Sequence, residues 1–272
     1  MISMLFYVFS SRITLRSFLT ALQFLTRIHL VRQENLTAED FGRSTRFFPL
    51  VGVVLGALYL LAALACLALF GLPSYTGKAV LVVLPLLLTG GLHADGFMDT
   101  VDGLFSGRSR ERMLEIMKDS RTGSFGVAAF AGLLLLNWSL LLDLPAPVLL
   151  IAVFTMPVIG RMAMLFAVAH FPYARPSGMG QAFAAMADRR AVIIGLVTSL
   201  VFVAPWGIAA IAALLIGLLF AFLFGRYAEK KLGGLTGDVY GAIELMTEVL
   251  VLFVLFLFAV LPFDRAGCFL WM

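Results

Sequence analysis

The chain has 272 residues, of which 61% are hydrophobic and 13% charged, with a formal net charge of +4. A mean hydropathy of +1.01 excludes an ordinary soluble domain and places most of the chain in a bilayer. The positive balance then follows from membrane topology, and nucleic-acid binding finds no support in it.

In chain order, Met1 to Ser10 lacks a basic start and a small-residue cleavage site, so this apolar opening is expected to stay on the chain. Phe18–Leu30 (FLTALQFLTRIHL) is too short and too amphipathic to span, and reads as an interfacial helix. Apolar stretches separated by charge predict seven crossings, at about Leu50–Leu72, Ala79–Leu92, Phe125–Leu142, Pro147–Ala169, Ala191–Val203, Trp206–Phe224 and Ala242–Leu261. The second reaches spanning length only if its helix runs on into the acidic residues that follow. The fifth has 13 residues before Ala204-Pro205, which predicts a half-helix or a strongly tilted one. No internal repeat, low-complexity tract or linker interrupts the pattern, so residues 1–272 read as one all-α, polytopic membrane bundle. Cys66 lies in an apolar run and Cys268 near the C-terminus, which argues against a disulfide framework.

Of the 20 lysines and arginines, only Lys78, Arg161 and Arg265 fall outside four segments: the N-terminal region and the loops after spans two, four and six. The positive-inside rule puts all four in the cytoplasm. The expected location is the inner membrane of a prokaryote, with the chemistry-bearing residues facing the cytoplasm.

Those residues begin where span two ends, in Gly91-Leu92-His93-Ala94-Asp95-Gly96-Phe97-Met98-Asp99-Thr100-Val101-Asp102-Gly103. Asp95, Asp99 and Asp102 fall at i, i+4 and i+7 and share one helix face, while His93 points elsewhere. Ionised carboxylates beside hydrocarbon are costly unless something neutralises them. Hard oxygen ligands crowded in this way suit one or two Mg²⁺ ions, with Mn²⁺ as the alternative. The competing reading is an acidic first turn favoured by the helix dipole.

Three further stretches fall on the same side. Met117–Gly126 sets Lys118, Arg121 and hydroxyls before glycines at the start of span three, an arrangement that suits phosphate oxygens or, alternatively, a basic belt before a membrane helix. Pro172–Gly180 (PYARPSGMG), with Arg175, is too rich in Pro and Gly to be helical; it reads as a turn, or as a loop that closes over a ligand. Gly233–Glu244 enters span seven through glycines, Thr236 and Asp238, the last of which would otherwise serve as a helix cap. Glu244 and Glu248 then open an apolar helix, and Arg161 is the basic residue at comparable depth, so a Glu–Arg pair is expected, structural or functional.

The run GGLHADGFMDTVDGLFSGRSRERMLEIMKDSRTGSFG resembles the corresponding stretch of the cobalamin synthase family, the adenosylcobinamide-GDP ribazoletransferases. FLTRI with RFFPLVGVVLGAL (Phe24–Ile28, Arg46–Leu58), PYARPSGMG, and GGLTGDVYGAIELMTE (Gly233–Glu248) resemble the same family in the same order, so the likeness runs from Phe18 to Val249. Ala94, Phe97 and Met98 depart from more typical members without removing a charged residue, and the tail after Leu261 lies outside the likeness. The resemblance implies transfer of the adenosylcobinamide phosphate moiety of adenosylcobinamide-GDP to α-ribazole or its 5′-phosphate, with release of GMP. It implies Asp95, Asp99 and Asp102 as ligands of Mg²⁺, Asp238 as a further ligand, and Lys118, Arg121, Arg175, Thr236 and Glu244 as substrate contacts. His93 or one of the aspartates would accept the proton of the attacking ribose hydroxyl. The partners are then these small molecules and membrane lipid, and an oligomer is compatible with the sequence. A CDP-alcohol phosphotransferase-like enzyme is the nearest rival, but Asp95-Gly96 lacks the Ala-Arg that usually follows there. A prenyl-diphosphate transferase lacks its two facing aspartate motifs. An ion-coupled transporter would use Glu244, Glu248 and Arg161, yet no duplicated halves are evident. A purely structural subunit would have little reason to keep so many carboxylates at one face.

Overall fold

The structure is a computed structural model and describes residues 12–70, 75–261 and 269. The opening Met1 to Ser10, Cys268 and most of the tail after Leu261 lie outside the described residues, and Cys66 is a free thiol.

The chain is built of helices, with a single parallel bridge between Tyr173 and Leu235 as the one strand-like pairing among the described residues. Helix α1 (Arg12–Leu25) turns Ala21, Leu22 and Leu25 into the core. It starts earlier and stops sooner than the amphipathic pattern predicts, and residues 26–37 run on without helix. Thr37 and Asp40 cap α2 (Ala38–Ser44) reciprocally, each side chain accepting the other's backbone N–H. Then come α3 (Phe48–Phe70), α4 (Tyr75–Thr89), α5 (Leu92–Leu104), α6 (Arg110–Ile116), α7 (Ser124–Asp143) and α8 (Ala146–His170). The last four are α9 (Met179–Met186), α10 (Arg189–Val203), α11 (Ile208–Leu232) and α12 (Gly237–Val260).

Six stretches are long and apolar enough to cross a membrane: α2 running into α3, α7, α8, α10 with its 3₁₀ extension to Trp206, α11 and α12. The bent pair α4–α5 makes a seventh if taken as one span. This is a polytopic helical membrane bundle. Helix α8 is its axis, with 94% of its most apolar window buried and α3, α10, α11 and α12 packed around it. On α11 the outward Leu215, Leu219 and Leu223 are exposed at helical spacing, the mark of a lipid-facing stripe.

Two expectations are corrected here. The second span does not continue into the acidic motif: α4 ends at Thr89 and the chain bends by 91° into α5. Gly91 N–H donates to Leu86 O (2.9 Å) and Gly90 N–H to Leu87 O (3.4 Å), a glycine-closed helix end. Both glycines have positive φ, 65° and 75°, which side chains with a Cβ rarely adopt. Likewise, the fifth crossing is not a half-helix: its α-helix ends at Val203 as predicted, but the 3₁₀ turn Ala204–Trp206 takes the proline at a position that needs no N–H and prolongs the span to 18 residues.

Because successive crossings alternate in direction, the start of α3, the end of α4, the start of α7, the end of α8 and the starts of α10 and α12 share one end of the bundle. The basic loops lie there. At the opposite end Lys78 Nζ donates to Leu142 O (2.8 Å) and so caps α7, a cation at a helix C-terminus.

Candidate active site

Helix α5 lies across this loop-rich end and presents two different faces. Its inner face, with His93, Gly96, Phe97, Thr100 and Leu104 buried, packs on α12 and α7. On its outer face Asp95 is exposed while Asp99 and Asp102 are half-buried. The spacing thus places the three carboxylates as expected and sends His93 the other way.

Two glycines let α5 and α12 meet closely. A Cβ on Gly96 would fall 2.9 Å from Asp238 O, and one on Gly241 would fall 3.3 Å from the Cα of His93. Asp238 is thereby carried beside Asp95 and Asp99, close enough for their charges to act on one another. Thr236 is the N-cap of α12, its hydroxyl accepting Val239 N–H (3.3 Å) and donating to Asp238 Oδ2 (3.1 Å). It is fully buried, with Asp238 as its side-chain partner. The role of cap, read for Asp238, belongs to Thr236, and Asp238 sits in the first turn where the dipole favours it.

The loop after α8 delivers a cation to this group. Ala174 N–H donates to Leu235 O and Leu235 N–H to Pro172 O, both at 2.8 Å, which ties the loop to the lead-in of α12. Gly234, at φ 154°, is pressed against the carbonyl of Pro172, so a side chain there would collide with the loop. With that tie in place Arg175 reaches Asp238 Oδ2 at 2.9 Å. The loop is non-helical as its composition predicts, but Met179 already begins α9, which the sequence does not announce.

Asp102 is used differently from its two neighbours. Gly123 N–H donates to its Oδ2 (2.7 Å) and Gly126 N–H to its Oδ1 (2.8 Å), so Asp102 caps α7 from another helix. These amides are the ones the sequence offers to phosphate, and a carboxylate already takes them. Lys118 is exposed beyond α6, outside the cavities described below. Arg121 is exposed as well and is clasped by Asp119, through Nε at 3.1 Å and Nη2 at 2.8 Å. Those bonds, with the Arg121 backbone N–H, hold the Asp119 carboxyl down at about 2, so the pair stays ionised at neutral pH. Arg121, Asp119, Asp99 and Asp102 nevertheless line one cleft of about 170 Å³.

Beneath α5 is a buried ionic cluster. Arg161 of α8 pairs with both Glu244 and Glu248 of α12, and Nδ1 of His93 lies 2.7 Å from Glu244 Oε2. All four side chains are at most 5% exposed. A Cβ on Gly160 would fall 3.0 Å from Glu248 Cγ, so this glycine admits the two carboxylates against α8. The Glu–Arg pair is as the sequence predicts; the partnership of Glu244 with His93 is not. Glu244, 1% exposed, thus stands behind His93, between its ring and Arg161. His93 Nε2 is buried without a hydrogen-bond partner among the described residues, although the ring lines a cavity of about 250 Å³ together with Asp95 and Asp238.

Carboxylates suit a hard divalent cation, and Asp95, Asp99, Asp102 and Asp238 lie near enough for their charges to act on Asp99, with Arg175 paired to Asp238. As they stand, no three His, Cys, Asp or Glu side chains among the described residues are grouped closely enough to hold one. Sequence reasoning also misses Phe24, Arg27, Phe48 and Phe183, which shape the cavities beside Asp95. FLTRI and RFFPL signal only themselves as stretches; nothing in them says which helix they face.

A bundle of membrane-crossing helices with a carboxylate-lined pocket at one end defines a multi-pass membrane protein whose polar site sits at a helix boundary. The family described as cobalamin-5-phosphate synthase matches residues 17–256, and the chain belongs to that family. It is 42% identical over 245 residues to an adenosylcobinamide-GDP ribazoletransferase of Desulfitobacterium hafniense, covering 88% of this chain and 96% of that protein. Proteins of the same name from Desulforamulus reducens and Fusobacterium nucleatum are 38% and 34% identical, covering 92% and 91% of this chain and 97% and 98% of their own lengths. No solved structure matches.

Proposed function

We propose that the chain transfers the adenosylcobinamide phosphate moiety of adenosylcobinamide-GDP to α-ribazole or its 5′-phosphate, releasing GMP, at the cytoplasmic face of a prokaryotic inner membrane. The observation that supports this reading is the convergence of Asp95 and Asp238 with the Nε2 of His93, unpartnered among the described residues, around one cavity, with Asp99 one turn along α5 from Asp95, within a chain whose relatives bear that activity in their name.

The reaction forms a bond between a ribose oxygen and the phosphorus that carries cobinamide. It breaks the P–O–P bridge, and GMP leaves with the electron pair. Asp95 and Asp99, with Asp102 and Asp238 beside them, would hold Mg²⁺ or Mn²⁺, which when bound neutralises diphosphate oxygens and stabilises the leaving group. His93 Nε2 accepts the hydroxyl proton, and the Glu244 carboxylate, 2.7 Å from Nδ1, favours the tautomer that carries its proton on Nδ1 and leaves Nε2 free. Glu244 is itself fixed by Arg161, so the base rests on a rigid support. Arg175 keeps Asp238 in place and stands ready to meet phosphate charge. The partly enclosed site keeps water from competing with the ribose hydroxyl.

The test is GMP release by the detergent-purified chain given both precursors and Mg²⁺, repeated after chelation with EDTA. Release that stops on chelation and returns with Mg²⁺ is expected. Release indifferent to EDTA contradicts the metal assignment, and no product from either acceptor contradicts the transfer.

A further inference from the structure

Two cavities meet at Asp95, and they differ in chemistry. One, of about 250 Å³, lies between α1, α3, α8 and α9, and its wall is Phe24, Leu25, Phe48, Met164, Val168 and Phe183. The Phe24 and Phe183 rings are tilted at 4.8 Å between centroids, and Phe48 stands edge-on to Phe183 at 5.6 Å. His93, Asp95 and Asp238 also line it, and no lysine or arginine among the described residues does. The other cavity, of about 570 Å³, shares Phe24, Leu92 and Asp95 with the first but is edged by Gln23, Thr26, Arg27, His29 and Thr89.

We infer that the smaller cavity is the pocket for the planar heteroaromatic base of the acceptor nucleoside, seated against Phe24, Phe48 and Phe183 with its ribose turned to His93 and Asp95. This rests on the transfer reading above and says which of the two substrates enters where. A neutral ring system gains from apolar burial and from edge-to-face contact with phenylalanine rings. The wall of the smaller cavity is apolar and aromatic, whereas the larger cavity offers Arg27 and His29 to an anion. A ribose hydroxyl, by contrast, finds in His93 Nε2 a buried nitrogen that has no other partner. The two cavities share Asp95 in their walls, so acceptor and donor would meet at this carboxylate from separate compartments.

The probe is a benzimidazole riboside, whose binding to the purified full-length chain is read from its own fluorescence and whose turnover is read as GMP release. Val168→Phe fills the cavity from α8, and Phe183→Ala strips its aromatic wall. Val168→Phe is expected to weaken riboside binding and raise its KM about tenfold or more, while the KM of the nucleotide-linked donor stays within about twofold. Phe183→Ala is expected to weaken the riboside similarly and to improve acceptance of a bulkier naphthimidazole riboside. If Val168→Phe does not fold, Phe183→Ala decides. Riboside affinity unchanged in the folded variants, or a donor KM that rises in step with that of the riboside, overturns the pocket assignment. The two readings fail separately. A wild-type chain that binds the riboside in a Val168-dependent way yet releases no GMP refutes transfer and leaves the pocket standing; one that releases GMP with riboside affinity indifferent to both variants refutes the pocket alone. A wild-type chain that does neither refutes both.

Discussion

Arg161 is 1% exposed, and what it neutralises explains how two glutamates stand in an otherwise apolar helix. One guanidinium between Glu244 and Glu248 offsets the cost of burying them, and the planar fork suits two carboxylates at once. Arg161→Leu would leave both acids buried without a counter-charge, so a loss of about 3–5 kcal/mol is expected, read as a lower unfolding temperature in detergent. Glu248→Gln, which keeps the Glu244 contact, is expected to cost less. An Arg161→Leu chain as stable as wild type would show that the cluster is not ionised. This pair is legible in the sequence because a lone charge at that depth has no other way to be tolerated. The Glu244–His93 contact is not legible, because it depends on how α5 and α12 are rotated about their axes, and hydrophobic pattern does not fix that angle for helices this uniformly apolar. The roles of Thr236 and Asp102 as helix caps are hidden for a related reason: a polar residue next to a helix start serves a backbone amide or a ligand equally well on paper.

At the scale of elements, the crossing of α5 over α12 sets the geometry of the carboxylates. Gly96 makes it possible, since any Cβ there meets the backbone of Asp238, which cannot yield as a flexible side chain can. Gly96→Ala is expected to cost about 1–3 kcal/mol in stability and to depress turnover further than that loss explains, because it moves Asp238 away from Asp95. Thermal unfolding and GMP release measured on the same preparation check this; an alanine variant with full turnover would show that the close approach is not needed. The long helices α7, α8, α11 and α12 are predicted well because each has enough apolar residues to fill a membrane span. The bend between α4 and α5 is missed because apolar residues continue on both sides of Gly90-Gly91, so hydropathy runs smoothly through a turn that only the backbone angles reveal. Helix α9 is missed because its 8 residues follow a Pro- and Gly-rich loop, and it is held by packing of Phe183 on Phe24, Phe41 and Phe48 rather than by its own propensity.

For the whole molecule, charge asymmetry and the site coincide. Arginines and lysines of the loops border the same end of the bundle that carries α5 and Arg175, while Lys78 and Asp143 mark the other. In a background lacking the native cysteines, Lys118→Cys is expected to react with an impermeant thiol reagent only in inside-out vesicles, and Asp143→Cys only in whole cells or spheroplasts. The opposite pattern would turn the site to the outside and remove the cytoplasmic substrates from its reach. The central claim is that Asp95 and Asp99 act on the diphosphate through a divalent cation rather than as structural acids. Its most direct test is the rate of GMP release by Asp95→Asn and Asp99→Asn across a Mg²⁺ titration, with folding verified by an unchanged unfolding temperature. Turnover at least about 100-fold below wild type, and not restored at saturating Mg²⁺, is the predicted result; near-normal turnover by either variant at saturating Mg²⁺ would contradict it.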